Sequence, residues 1–193
     1  MKKTGLFFGS FNPIHIGHLI IAQHLLDNTD MEELWFVVSP HNPLKKKSSL
    51  APDYDRLHLV QIAIEDNPGM RASNIEFGLP QPSYTIDTLA HLSEHYPNRR
   101  FSLIMGGDNL LSLPKWKNYE KLLSDYSIYV YKRPYTAHSP LEEHPNVTIL
   151  EDTPSLDISS SLIRKKIQSG QSIRYLVLPQ VQEAIELGRM YLK

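Results

Sequence analysis

Short runs of apolar residues alternate along the chain with segments whose apolar residues recur every three to four positions. The runs predict strands at 6–8, 34–38, 101–105 and 127–131, with a short further strand at 147–150. The periodic segments predict helices at 18–27, 54–65, 83–96, 159–168 and 179–187. Gly170 and Gly188 lie where the last two helices should end.

This alternation predicts the fold class. Strands separated by helices form βαβ units, and right-handed crossovers between them give an α/β fold with a doubly wound parallel sheet. The chain has 193 residues, a length typical of one domain, so we expect residues 1–193 to form a single domain. Because such sheets bind ligands outside the carboxyl ends of their strands, the residues after each strand are the first site candidates.

Composition excludes several classes of function. The chain contains no cysteine, which excludes a disulfide framework, a thiolate zinc site and a cysteine nucleophile. Its net charge of −1 argues against a dedicated nucleic-acid binder. The apolar run after Lys3 breaks at Gly9, too early for a signal peptide, and no apolar run is long enough for a membrane helix. We therefore expect a cytoplasmic protein with neither a nucleic-acid nor a membrane partner.

The segment Gly9–His18 joins the first strand to the first helix. Backbone N–H groups and the helix dipole at such a junction favour an anion. Gly9 allows a ligand to approach the backbone, and Gly17 allows a tight entry that places His15 and His18 on one side. Two imidazoles there suit a phosphate better than a metal cation, which the dipole disfavours. The segment predicts a phosphate site, with incidental histidines at a helix start as the simpler alternative.

A serine cluster at 159–161 precedes another predicted helix. Such a cluster is typical of an N-cap, which needs no ligand. Arg164, however, lies about one turn beyond Ser160 and can point back at an anion held by the serines. Two helix N-termini therefore predict two phosphate sites, and a triphosphate can use both.

Two weaker signals follow in the middle of the chain. Ser83 is placed as an N-cap, and the N–H groups of Tyr84 and Thr85 in the next turn can receive a carboxylate. Gly106 permits a flat ring against the backbone and Asp108 can hold ribose hydroxyls, although Gly-Gly-Asp is also an ordinary turn.

Trp116 and the run 45–47 complete the candidates. A tryptophan on a predicted helix is more often core than a stacking platform, and a lysine run is usually a solvated loop. One of these lysines can nevertheless grip a phosphate. The remaining histidines show no metal-ligand spacing, so no protein metal site is predicted.

Four segments resemble the motifs of a known family. His15-Ile16-Gly17-His18 and the segment 158–164 resemble the H-x-G-H and I-S-S-[ST]-x-[IL]-R signatures of the nucleotidyltransferase superfamily. The segment 82–89 (Pro-Ser-Tyr-Thr-Ile-Asp-Thr-Leu) and the Gly-x-Asp-Asn segment before Trp116 resemble bacterial nicotinate-nucleotide adenylyltransferases. The similarity extends from about residue 4 to residue 187. Two family motifs differ here: Gly-Gly-Thr-Phe-Asp-Pro becomes Gly-Ser-Phe-Asn-Pro at 9–13, and the Pro-Pro-His-Lys loop is rewritten at 40–45.

The resemblance implies a Rossmann-like nucleotidyltransferase fold. It further implies AMP transfer from ATP to nicotinate mononucleotide, giving nicotinate adenine dinucleotide and pyrophosphate in NAD biosynthesis, with Mg²⁺ arriving on ATP. The catalytic residues that it implies are His15, His18 and Arg164. The implied ATP-binding residues are Gly9, Ser10, Phe11, Gly17, Gly106, Asp108, Ile158, Ser159 and Ser160. The implied substrate-binding residues are Lys45, Tyr84, Thr85 and Trp116, with Lys46 and Lys47 as alternatives to Lys45.

Several alternatives share part of this pattern. An adenylyltransferase for nicotinamide mononucleotide or phosphopantetheine would keep both phosphate motifs, but the phosphopantetheine enzymes would not need the segment 82–88. Class I aminoacyl-tRNA synthetases also carry His-Ile-Gly-His, yet this chain has no Lys-Met-Ser-Lys-Ser loop. A nucleotide-binding module without activity would keep the phosphate sites alone. The oligomeric state is left open, and a homo-oligomer is compatible with the sequence.

Overall fold

The computed structural model describes residues 1–40, 50–132, 136–154 and 156–192. Its centre is a six-stranded parallel sheet in the order β3-β2-β1-β4-β5-β6. The strands are β1 (Lys2–Gly9), β2 (Glu33–Val38), β3 (Met70–Ser73), β4 (Arg99–Gly106), β5 (Ser127–Tyr131) and β6 (Val147–Leu150). The α-helices are α1 (Ile16–Asn28), α2 (Asp53–Ala63), α3 (Thr85–His95), α4 (Gly107–Ser112), α5 (Tyr119–Asp125), α6 (Ser160–Gln168) and α7 (Pro179–Leu187). Short 3₁₀ helices lie at Ile75–Gly78, Leu113–Lys115 and Pro140–Glu143.

Successive residues of the central strands pack into two different cores. Phe7 and Phe36 belong to a core that includes side chains of α1, α2, α6 and α7. Leu6 and Trp35 belong to a second core on the other face, with side chains of α3, α4 and α5. Because side chains alternate along a strand, the two cores place helices on both faces of the sheet. The predicted α/β, doubly wound parallel sheet is confirmed.

The structure corrects the prediction in the middle of the chain. The strand β3 and the helices α4 and α5 were not predicted, since each is too short to show a clear period. The helix α3 begins at Thr85 with Tyr84 as its N-cap, so Ser83 does not cap it. The Tyr84 carbonyl accepts the N–H groups of Asp87 and Thr88 at 2.9 and 3.1 Å, which defines this start. Trp116 lies just after a 3₁₀ helix rather than within a helix.

The strand order creates a crevice at one edge of the sheet. The chain proceeds from β1 outward to β2 and β3, and then returns to β4 on the other side of β1. The direction of winding therefore reverses between β1 and β4, where ligands of such sheets bind. Gly9 ends β1 and Gly106 ends β4, so both lie at this crevice. No described helix combines the length and apolarity needed to cross a membrane.

Candidate active site

A cavity of about 420 Å³ lies at the carboxyl ends of β1 and β4. Its walls are the loop after β1, the start of α1, the start of α4 and the start of α6. The lining includes most of the residues predicted to bind ATP or to act on its phosphates: Gly9, Ser10, Phe11, His15, His18, Gly106, Asp108, Ser159, Ser160 and Arg164. We call it the histidine cavity. Two motifs separated by more than half of the chain thus meet at one place.

The two histidines of the first motif form a stacked pair. Their ring centroids are 3.7 Å apart, with an angle of 24° between the planes. The backbone N–H of His15 donates to Nδ1 of His18 over 3.3 Å. Because Nδ1 accepts this hydrogen bond, the proton of the neutral His18 ring resides on Nε2. His18 therefore presents an N–H donor at Nε2, as contact with a phosphate oxygen requires.

The second motif is tied to the first by direct hydrogen bonds. Arg164 Nη1 donates to the carbonyl of Asn12 over 2.8 Å, and Ser160 Oγ donates to the carbonyl of Pro13 over 2.8 Å. Ser159 accepts the N–H of Leu162 at 3.2 Å and so caps α6, as its position predicts. The N-termini of α1 and α6 are therefore held in a fixed relation around the cavity.

Small residues keep the backbone of this cavity open. A Cβ at Gly9 would lie 2.7 Å from the ring of Phe11, and one at Gly106 would lie 3.3 Å from the ring of Tyr131. Phe11 itself has a left-handed backbone (φ 42°), and its ring is buried against Phe7 and His18. Phe11 thus lines the cavity while belonging to the core, a double role that its sequence position did not reveal.

A second cavity, of about 390 Å³, adjoins the first. Both cavities are lined by Phe8, Gly9, Ser10 and Asn109, which form their junction. The second cavity contains Tyr84, Thr85 and Trp116, the residues predicted to bind the second substrate. Its wall also includes Leu103, Ile104 and Met105 of β4. We call it the tryptophan cavity.

The tryptophan cavity contains charged groups that sequence reasoning missed. Glu76 is 3% exposed, accepts a hydrogen bond from Thr88 Oγ1 over 2.9 Å, and has a pKa raised above 4.5 by burial. Lys115 and Lys117 line the rim. Lys117 pairs with Asp87 at 2.8 Å and lies 4.8 Å from the centroid of the Tyr84 ring. Lys115 and Lys117 flank Trp116 in the sequence, and this proximity is the one sequence feature that indicates their place in the cavity. No sequence feature indicates that Glu76 lies there.

Comparison with known proteins places the chain in a family. The cytidylyltransferase-like family model matches residues 6–166. The probable nicotinate-nucleotide adenylyltransferase of Flavobacterium psychrophilum is 51% identical over 193 residues, covering 99% of this chain and 100% of the relative. That of Cytophaga hutchinsonii is 52% identical over 189 residues, covering 98% and 97%. The chain belongs to the cytidylyltransferase-like family, and within it to the nicotinate-nucleotide adenylyltransferases.

A solved structure supports the fold independently. The nicotinic acid mononucleotide adenylyltransferase of Plasmodium falciparum, complexed with NaAD, superimposes with a TM-score of 0.83. The match covers 99% of this chain and 98% of that chain at 21% sequence identity. The Rossmann-like nucleotidyltransferase fold implied by the sequence motifs is therefore confirmed.

Two predicted site residues lie outside both cavities, and a third is not among the described residues. Gly17 and Ile158 line a narrow crevice beside the histidine cavity, together with the rings of His15 and His18. Lys45 lies outside the residues that the structure describes. Among the described residues, no three His, Asp or Glu side chains converge in a way that could hold a metal ion.

Proposed function

We propose that this protein transfers the AMP group of ATP to nicotinate mononucleotide. A phosphate oxygen of the mononucleotide attacks the α-phosphorus of ATP, the bond to the β-phosphate breaks, and pyrophosphate leaves. The product is nicotinate adenine dinucleotide. Such a displacement needs positioning and charge stabilisation rather than a protein nucleophile, in agreement with a chain that has no cysteine.

The observation that carries this proposal is the pair of adjoining cavities. An adenylyl transfer needs two nucleotides whose phosphates meet, and the two cavities meet at Gly9, Ser10 and Asn109. In the histidine cavity, His15 and His18 bind the ATP phosphates, with His18 nearest the α-phosphate. Arg164 and the start of α6 bind the β- and γ-phosphates, where the helix dipole favours negative charge. Gly106 and Asp108 hold the adenosine.

The tryptophan cavity receives the mononucleotide. Trp116 stacks on the pyridine ring, and the N–H groups of Tyr84 and Thr85 at the start of α3 bind the nicotinate carboxylate. The positive charge of Lys115 at the rim favours a carboxylate over an uncharged carboxamide, whereas the charge of Lys117 is compensated by Asp87. Lys45, Lys46 or Lys47 supplies a further phosphate contact. We infer from these features a preference for nicotinate over nicotinamide mononucleotide.

Mg²⁺ enters this scheme as part of the MgATP substrate. The ion favours phosphate and water oxygens, so a dedicated protein cage is not required. When bound, it neutralises part of the phosphate charge. We also infer that the protein acts in the cytoplasm, without a nucleic-acid or membrane partner.

A pyrophosphate-release assay tests the function. Purified protein is given MgATP with nicotinate mononucleotide, nicotinamide mononucleotide or phosphopantetheine in turn. We expect turnover with the first, weaker turnover with the second and none with the third. Equal use of the two mononucleotides would contradict the carboxylate site. ATP binding without pyrophosphate release for any acceptor would indicate a binding module instead.

A further inference from the structure

One buried arginine of α2 lies directly behind the junction of the two cavities. Arg56 has no exposed surface, although it sits in the first turn of a surface helix. A permanently charged side chain is costly to bury unless its donors are satisfied. Neither cavity is lined by Arg56, so the roles proposed above leave its charge and its burial unexplained.

The guanidinium uses all five of its N–H donors. Nη1 donates to the carbonyls of Ser10 and Ser39, at 2.5 and 2.9 Å. The Nε group donates to the carbonyl of Ala51 at 3.0 Å. Nη2 donates to the carbonyl of Pro40 at 3.4 Å and to the carboxylate of Asp53 at 2.6 Å. Arg56 thereby joins the loop after β1, the end of β2 and the start of α2.

Two of these carbonyls belong to residues of the reaction site. Ser10 lies at the junction of the cavities, and Ser39 lines the tryptophan cavity. In a trans peptide the N–H points opposite to the preceding carbonyl, so fixing the Ser10 carbonyl toward Arg56 directs the Phe11 N–H away from it. The orientation of Arg56 therefore sets the orientation of the backbone beneath the junction.

The loop after β1 is also hydrogen-bonded by Arg164, the arginine that we assign to the ATP phosphates. Arg164 binds the carbonyl of Asn12, and the Asn12 side chain accepts the N–H of Ala51 at 3.0 Å. The loop between β1 and α1 is thus hydrogen-bonded to two guanidinium groups, those of Arg56 and Arg164. Arg164 lines the histidine cavity and is assigned to phosphate binding. Arg56 contacts the same loop but lines neither cavity.

We propose that Arg56 is a positioning residue for the transfer step, which aligns the mononucleotide phosphate with ATP by fixing the Ser10 and Ser39 carbonyls. This inference rests on the proposed function. Lysine has only three N–H donors on one nitrogen, so it cannot satisfy the five acceptors in this planar arrangement. Lysine keeps the positive charge and the aliphatic stem, which makes it the informative substitution.

The test compares Arg56→Lys and Arg56→Gln with Asp53→Asn. Because a small misplacement of reacting groups is costly, we expect both Arg56 variants to lower kcat roughly tenfold or more, with little change in KM for ATP. Asp53→Asn removes the charged partner and leaves the carbonyl contacts, so its kcat should stay close to that of the wild type. Each variant is assayed well below its own midpoint of thermal unfolding.

Several outcomes would overturn the proposal. An unchanged kcat in Arg56→Lys would mean that the carbonyl contacts do not align the substrates. An equal loss in Asp53→Asn would assign the effect to the ion pair instead. If neither Arg56 variant folds at any temperature, the residue is structural alone. If the wild-type protein itself shows no turnover in the same assay, the proposed function is wrong. This result differs from the outcomes above, in which the wild type is active and only the role of Arg56 is contradicted.

Discussion

The two cavities that meet at Gly9 and Ser10 are built in different ways. Most of the histidine cavity comes from three short segments, 7–18, 106–109 and 159–164, and it is rich in glycine, histidine and serine. The tryptophan cavity draws residues from β1, β4, the residue after β2, the first 3₁₀ helix and the segments around α3, α4 and α5. A chain of phosphates can be held by helix N-termini and local backbone. A pyridine ring with a carboxylate needs side chains on several sides of it, and the tertiary fold must bring these side chains together.

The comparison predicts that the largest loss of rate arises in the histidine cavity. We expect His18→Ala to lower kcat by about two orders of magnitude, because it removes a donor aimed at developing phosphate charge. Steady-state kinetics with both substrates saturating gives the value. His24→Ala, on the same helix but outside both cavities, is the matched control. Should the two variants have similar kcat, His18 takes no part in the transfer.

A smaller effect of a different kind is expected in the tryptophan cavity. Trp116→Ala should raise KM for nicotinate mononucleotide about tenfold, since stacking on a ring contributes to ground-state binding. KM for ATP should change little. Leu111→Ala, an exposed residue of α4, serves as the control. A rise in KM for ATP instead would mean that the two nucleotides occupy the cavities in the opposite order.

The same contrast explains what the sequence could predict. His15, His18, Ser159 and Arg164 stand in compact motifs at strand and helix ends, and the doubly wound topology places such ends at one edge of the sheet. The structure does bring these residues to one cavity, while their chemical roles stay predictions. The fold followed in the same way from apolar runs and helical periods, because long elements carry a strong pattern.

Glu76 and Arg56 could not be predicted, for a shared physical reason. Both are charged residues that are buried only because partners distant in sequence satisfy them: Thr88 for Glu76, and the Ser10 and Ser39 carbonyls for Arg56. In the sequence Arg56 resembles an ordinary surface residue of a predicted helix, and Glu76 resembles an ordinary residue of the segment between two predicted helices. The short elements β3, α4 and α5 escaped prediction similarly, because tertiary packing rather than local periodicity defines them.

The most subtle difference between the two sides concerns two carboxylates. Glu76 lines the tryptophan cavity, and burial raises its pKa above 4.5. On the other side, Glu142 binds Lys132, which lines the crevice beside His18. The Lys132 ammonium and the backbone N–H of Ser139 lower the pKa of Glu142 to about 2. The two groups should therefore change protein stability with pH in opposite directions.

For the final prediction, the unfolding midpoints of Glu76→Gln and Glu142→Gln are measured between about pH 2.5 and pH 8. Glu76 stabilises the fold fully below its unfolded pKa of 4.5, and the contribution is lost as the pH rises through its higher folded pKa. Glu76→Gln should thus gain stability relative to the wild type as the pH rises. Glu142 stabilises the fold above pH 4.5, and this contribution is lost as the pH falls toward 2. Glu142→Gln should therefore be least stable relative to the wild type near neutral pH. Parallel curves for the two variants would contradict the assignment, because burial raises the pKa of Glu76 whereas the ion pair with Lys132 lowers the pKa of Glu142, and the two shifts give opposite pH dependences.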